Sequence, residues 1–131
     1  MKRYIIVPFF ILSGFVCAVE ELPVIDIEKT KNLIQEGAVL IDNRPPYKYE
    51  NGHIEGAVNL PFFYEGHSSN LMTRQELLKI IGEKRIVIFY CTGKMRAYHA
   101  LNQAKKWDIP VVMYWYKNGF SEWKNQEPFI K

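Results

Sequence analysis

The sequence predicts a small α/β domain in which a parallel β-sheet carries helices on both faces. Three observations lead there. The runs at 38–41, 85–90 and 111–114 are almost continuously apolar rather than alternating, as strands buried on both sides should be. Helical patterns fall between and after them, at 28–36, at 73–81 and from Ala97 onward, so strand and helix alternate along the chain. Finally, 131 residues at 48% hydrophobic and 24% charged content suit one domain built round one core.

The chain opens on an address rather than on that fold. Lys2 and Arg3 precede a nearly unbroken apolar stretch at 4–16, and Val16-Cys17-Ala18 approximates a small-x-small cleavage site. Pro8 interrupts the stretch, which falls short of the ~20 residues a spanning helix needs. Residues 1–18 are therefore expected to be a cleaved signal peptide, with an uncleaved anchor as the competing outcome, and 19–131 an exported, periplasmic domain. Cleavage removes Cys17 and leaves Cys91 as the one thiol of a chain sent to an oxidising compartment.

Within the domain, residues 24–27 read as a short edge strand and 28–36 as a helix. The strand at 38–41 ends in Asp42-Asn43-Arg44. Thr73 and Glu76 form a capping box that opens a helix reaching about Ile81. The strand at 85–90 runs into Cys91-Thr92-Gly93-Lys94-Met95-Arg96, after which Ala100, Leu101, Ala104 and Trp107 recur at helical spacing. Sheets of this kind are joined by right-handed crossovers and bind ligands beyond the carboxyl ends of their strands. Both polar clusters, at 42–44 and 91–96, fall there.

A formal net charge of +3, dispersed along the chain, is no electrostatic footprint for nucleic acid. His67 and His99 lack companions at metal-ligand spacing, so neither a metal nor another cofactor is expected. The chemistry concentrates instead in the loop at 91–96. A lone cysteine is often a small buried hydrophobe. This one stands at a strand-to-helix junction, where unpaired N–H groups and the positive end of a helix dipole favour an anion. Gly93 lets successive amides turn into one concavity, and Lys94 and Arg96 add two positive charges. The residues from Thr92 to Arg96 are thus expected to cradle an anionic substrate, with a ring of peptide N–H groups around a Cys91 thiolate poised for nucleophilic catalysis.

Three motifs in order resemble those of single-domain rhodaneses. Asp42-Asn43-Arg44 with Tyr49 and Gly52-His53-Ile54-Glu55-Gly56-Ala57-Val58-Asn59-Leu60-Pro61 is similar to the first signature, Cys91 to Arg96 to the active-site loop, and Gly119-Phe120 with Trp123 and Pro128 to the C-terminal signature. The resemblance covers nearly all of 19–131. It implies a rhodanese-like fold and a sulfurtransferase whose Cys91 takes sulfane sulfur from a small sulfur-containing anion, thiosulfate or polysulfide, and holds it as a persulfide. Cyanide, a small thiol or a partner protein's cysteine would then remove it. A carrier or persulfide-sensing module that loads sulfur without turning over is the alternative. The loop counts six residues from Cys91 to Arg96, the family's length for sulfur transfer, whereas phosphatase and arsenate-reducing relatives use one more.

There are departures from the family pattern: Gly93 comes two residues after the cysteine instead of three, Ala97 replaces a frequent serine, and Lys48 stands where an acid is usual. By the same resemblance, His53 holds a turn rather than moving protons. Asp42 and Arg44 are expected to form a supporting ion pair, with Arg44 also a candidate for substrate contact. Tyr114, Trp115, Tyr116, Phe120 and Trp123 are mostly expected in the core, whereas Phe62-Phe63-Tyr64 cannot all be buried and are expected at a rim or a dimer contact.

Overall fold

Five strands run parallel: β1 Val24–Ile25, β2 Val39–Asp42, β3 Val58–Asn59, β4 Ile86–Tyr90 and β5 Val112–Tyr116, in the spatial order β1-β5-β4-β2-β3. The structure is a computed structural model describing residues 23–131, so the expected signal peptide and Cys17 lie outside the described residues. Helices α1 Ile27–Gln35, α2 Pro46–Glu50, α3 Arg74–Ile81, α4 Arg96–Lys106 and α5 Gly119–Gln126 complete the chain.

The period-2 geometry of β4 divides the core in two. Val87 and Phe89, with Ile41, Met113 and Trp115, pack beneath α3 and α4, where Leu77, Ile81 and the alanines Ala97, Ala100 and Ala104 meet them. Those small side chains let α4 lie close over the sheet. Ile88 and Tyr90, with Leu40 and Tyr116, face the other way onto Leu33 of α1 and Phe120 and Trp123 of α5. The parallel sheet with helices on both faces is therefore present, and β1 occupies an edge as the sequence predicts.

Local chemistry sets the boundaries. Asp26 ends β1 after two residues because its carboxylate caps α1, accepting from Lys29 N–H at 2.8 Å. Thr73 Oγ1 accepts from Glu76 N–H at 3.1 Å, which is half of the expected capping box. The Glu76 carboxylate lies 3.8 Å from Lys79 instead of returning to the cap. Register then assembles the site. Asp42 pairs with Tyr90 and Tyr90 with Tyr116, so β2, β4 and β5 end level and release Asn43, Cys91 and Lys117 side by side at the carboxyl edge.

Candidate active site

Cys91 continues the alternation of β4. Like Val87 and Phe89 it joins the core beneath α4, and it is 2% exposed. It also borders a cavity of about 220 Å³ lined by Lys48, Thr92, Lys94 and Arg96. Three cations and no carboxylate or imidazole thus surround the one described thiol. Arg96, the first residue of α4, is held from the side: its guanidinium lies 4.7 Å over the Phe63 ring, which stacks on His67 at 4.4 Å. Asn70 folds that loop by accepting from Phe63 N–H and donating to the Tyr64 carbonyl. Of the three consecutive aromatics, Phe62 is buried, Phe63 supports Arg96, and Tyr64 is exposed.

The loop is fixed from behind by α5. Phe120 N–H donates to the Cys91 carbonyl at 2.8 Å and Ser121 N–H to the Thr92 carbonyl at 2.9 Å. Two glycines make this approach feasible. Gly119 has φ +60°, and a Cβ there would strike the Cys91 carbonyl oxygen; at Gly93, φ +141°, a Cβ would lie 2.8 Å from the Asn118 carbonyl oxygen. Because peptides are planar and trans, turning these two carbonyls toward α5 points the N–H groups of Thr92 and Gly93 away from it.

The expected ring of amides around the sulfur is not formed. Among the described residues Sγ has one hydrogen bond, and it is donated by the thiol to the Lys94 carbonyl at 3.6 Å. Lys94 lies two residues before α4 begins, and its carbonyl faces Cys91. Lys48, Lys94 and Arg96 are the charged side chains that share the cavity with Cys91. The Thr92 hydroxyl oxygen is buried without a partner in the same wall.

Of the predicted residues, Thr92, Lys94 and Arg96 are brought together with Cys91, whereas Gly93 and Met95 do not line the cavity. Gly93 serves through its backbone, and the Met95 side chain is 47% exposed. Arg44 stands outside this cavity, in the expected supporting ion pair, and lines a neighbouring groove. Its Nε and Nη2 bond Asp42, at 2.6 Å for the shortest contact, and Nη2 also donates to the Gly52 carbonyl. Its guanidinium is covered by Phe120 at 4.3 Å and borders no part of the Cys91 cavity. Burial opposes its charge, but the bonded Asp42 outweighs that and holds it charged.

His53 Nδ1 lies 2.8 Å from the Tyr49 carbonyl, its ring stacks on Tyr49 at 3.7 Å, and it does not line the Cys91 cavity. Tyr90 accepts from Ile54 N–H, and its phenol is pushed well above its usual range by burial first and the Asp42 charge second. Sequence reasoning missed Lys48 as a member of the site. Its one signal is the break from the usual acid at that position, and α2 carries it over the cavity.

Fold and site together define a class: a single parallel α/β domain whose central strand delivers a cysteine loop into the N-terminus of the following helix. The rhodanese-like domain family matches residues 26–126, and the chain belongs to that family. A human single-domain sulfurtransferase, TSTD1, superimposes with a TM-score of 0.61 at 21% identity, over 81% of this chain and 98% of that one. A thiosulfate sulfurtransferase from Pseudomonas aeruginosa does so with 0.65 at 19%, over 85% of this chain and 20% of that one. At such identities the likeness is one of fold.

Curated relatives point elsewhere. Human M-phase inducer phosphatase 1 is 43% identical over 63 residues, 48% of this chain and 12% of the phosphatase. Mouse M-phase inducer phosphatase 2 is 31% identical over 111 residues, 76% of this chain and 19% of that protein. The chain therefore spans less than a fifth of the length of either phosphatase.

Proposed function

We propose that this protein is an exported sulfurtransferase working through a Cys91 persulfide, export resting on the leader pattern at 1–18. The Cys91 thiolate attacks the sulfane sulfur of thiosulfate; a new S–S bond forms, the old one breaks, and its electron pair leaves with sulfite. Lys48, Lys94 and Arg96 offset the charge of donor and persulfide. An acceptor thiolate or cyanide then attacks the outer sulfur and restores Cys91, a ping-pong cycle.

The observation that carries this reading is the cavity lining, with three cations and no proton donor of the carboxylic or imidazole kind. Sulfite and thiolates leave as stable anions and need no such donor.

The phosphatase relatives favour a second reading, phosphoester hydrolysis through the same cysteine. That reaction expels an alkoxide, which wants a proton from a general acid, and no carboxylic acid or imidazole lines this cavity; the six-residue loop is also the shorter, sulfur-transfer length. One experiment separates the readings. The protein is incubated with thiosulfate and weighed intact: wild type should gain one sulfur and Cys91→Ser none. Rapid gain without release to cyanide would make it a carrier. Hydrolysis of p-nitrophenyl phosphate by wild type but not by Cys91→Ser, with no sulfur gained, would replace the assignment.

A further inference from the structure

A second groove, of about 300 Å³, adjoins the Cys91 cavity, and Lys48 and Thr92 line both. Lys124 of α5, Asn51 and the rings of Phe120 and Phe129 form much of its remaining wall. No acidic residue lines either space. Among the described residues neither Lys48 nor Lys124 has a carboxylate within ion-pair distance, whereas the other cation in the groove, Arg44, is committed to Asp42. The partnerless Thr92 hydroxyl is buried in the partition between the two spaces. A bare inorganic anion is accommodated by the first cavity alone and leaves Lys124 and the aromatic wall unused.

We propose that the groove is the distal half of the donor site and takes the anionic end of an organic persulfide, R–S–SH, with R bearing a carboxylate. The inference rests on the sulfur-transfer reading of Cys91. The sulfane sulfur sits at Cys91, the carbon linker lies along Phe120 and Phe129, and the carboxylate meets Lys124 and Lys48. The Cys91 thiolate attacks the outer sulfur. The Cys91–S bond forms, the donor S–S bond breaks, and R–S⁻ departs with its electron pair. The proton stays on the transferred sulfur as Cys91–S–SH, so no outside oxidant or reductant takes part. Lys124 is exposed, so the fold tolerates its replacement.

The test compares initial rates of Cys91 persulfide formation, in the full-length protein, from the persulfides of 3-mercaptopropionate and 2-mercaptoethanol, which are similar in length and differ by the carboxylate. Wild type should prefer the carboxylated donor by about tenfold in kcat/KM, chiefly through KM, and Lys124→Glu should abolish that preference. A wild-type preference within about twofold, or one unchanged in Lys124→Glu, overturns the groove's role. If thiosulfate loads Cys91 while the carboxylate confers nothing, the groove assignment alone falls. If no donor loads Cys91, the sulfur-transfer reading falls with it.

Discussion

Gly119 places the Cys91 sulfur without touching it. Its missing side chain lets the first turn of α5 press on the Cys91 carbonyl and donate two N–H groups to the loop. Gly119→Ala should therefore cost about 2 kcal/mol or more, from left-handed strain plus the clash, and slow sulfur loading by at least about tenfold. Gly56→Ala is the control, because that glycine has φ +81° with open space around it: it should lose only about 1 kcal/mol and load sulfur normally. Urea melts paired with the mass assay check both, and equal loading in the two variants would refute the positioning argument. At this scale the sequence disclosed the candidate nucleophile and the loop cations because they lie close together at a strand end. It did not disclose which way Arg44 points, since an ion pair and a substrate contact ask for the same side chain. Burial against Asp42 and Phe120 decides that.

The elements divide by the source of their stability. Strands β2, β4 and β5 are legible because burial on both faces demands unbroken apolar runs, and α4 because its alanine stripe repeats at helical spacing. By contrast, α2 has five residues and none buried, with Pro46 at its start as the main signal, so periodicity has nothing to register. The N-cap of α5, Asn118, makes no side-chain cap bond, and Gly119 opens the helix; its amides are satisfied by the carbonyls of the cysteine loop, which lie far away in sequence. This part of the candidate site's scaffold is thus tertiary and invisible locally. Helix α3 is the opposite case. Removing its cap with Thr73→Ala should lower stability by about 1 kcal/mol and leave sulfur loading unchanged, because α3 does not border the Cys91 cavity. A melt alongside the loading assay tests this, and a loading defect would show that α3 communicates with the loop.

Across the whole molecule the level ends of β2, β4 and β5 bury a polar layer directly beneath the site, and that layer sets the response to pH. Tyr90 and Tyr116 both have phenols pushed above their usual range, by burial first; the negative charge of Asp42 adds to this at Tyr90, and the Glu122 hydrogen bond at Tyr116. In the unfolded chain a tyrosine ionises near its ordinary value of about 10. Below that pH both states keep the proton and stability is indifferent to these groups. Above it the unfolded chain ionises while the folded one does not, so stability drains toward high pH, by about 1.4 kcal/mol per pH unit for fully buried Tyr90. Lys31, raised by its hydrogen bond to Glu127, works in the same direction: its stabilisation is intact below the ordinary lysine value and lost above it. Urea midpoints measured from pH 8 to 11.5 should hold level and then fall. Tyr90→Phe should start about 1 kcal/mol lower at neutral pH, having left Ile54 N–H without an acceptor, and then descend less steeply than wild type. Parallel descents in the two proteins would show that the buried phenol beneath the cysteine loop is not what limits the fold in alkali.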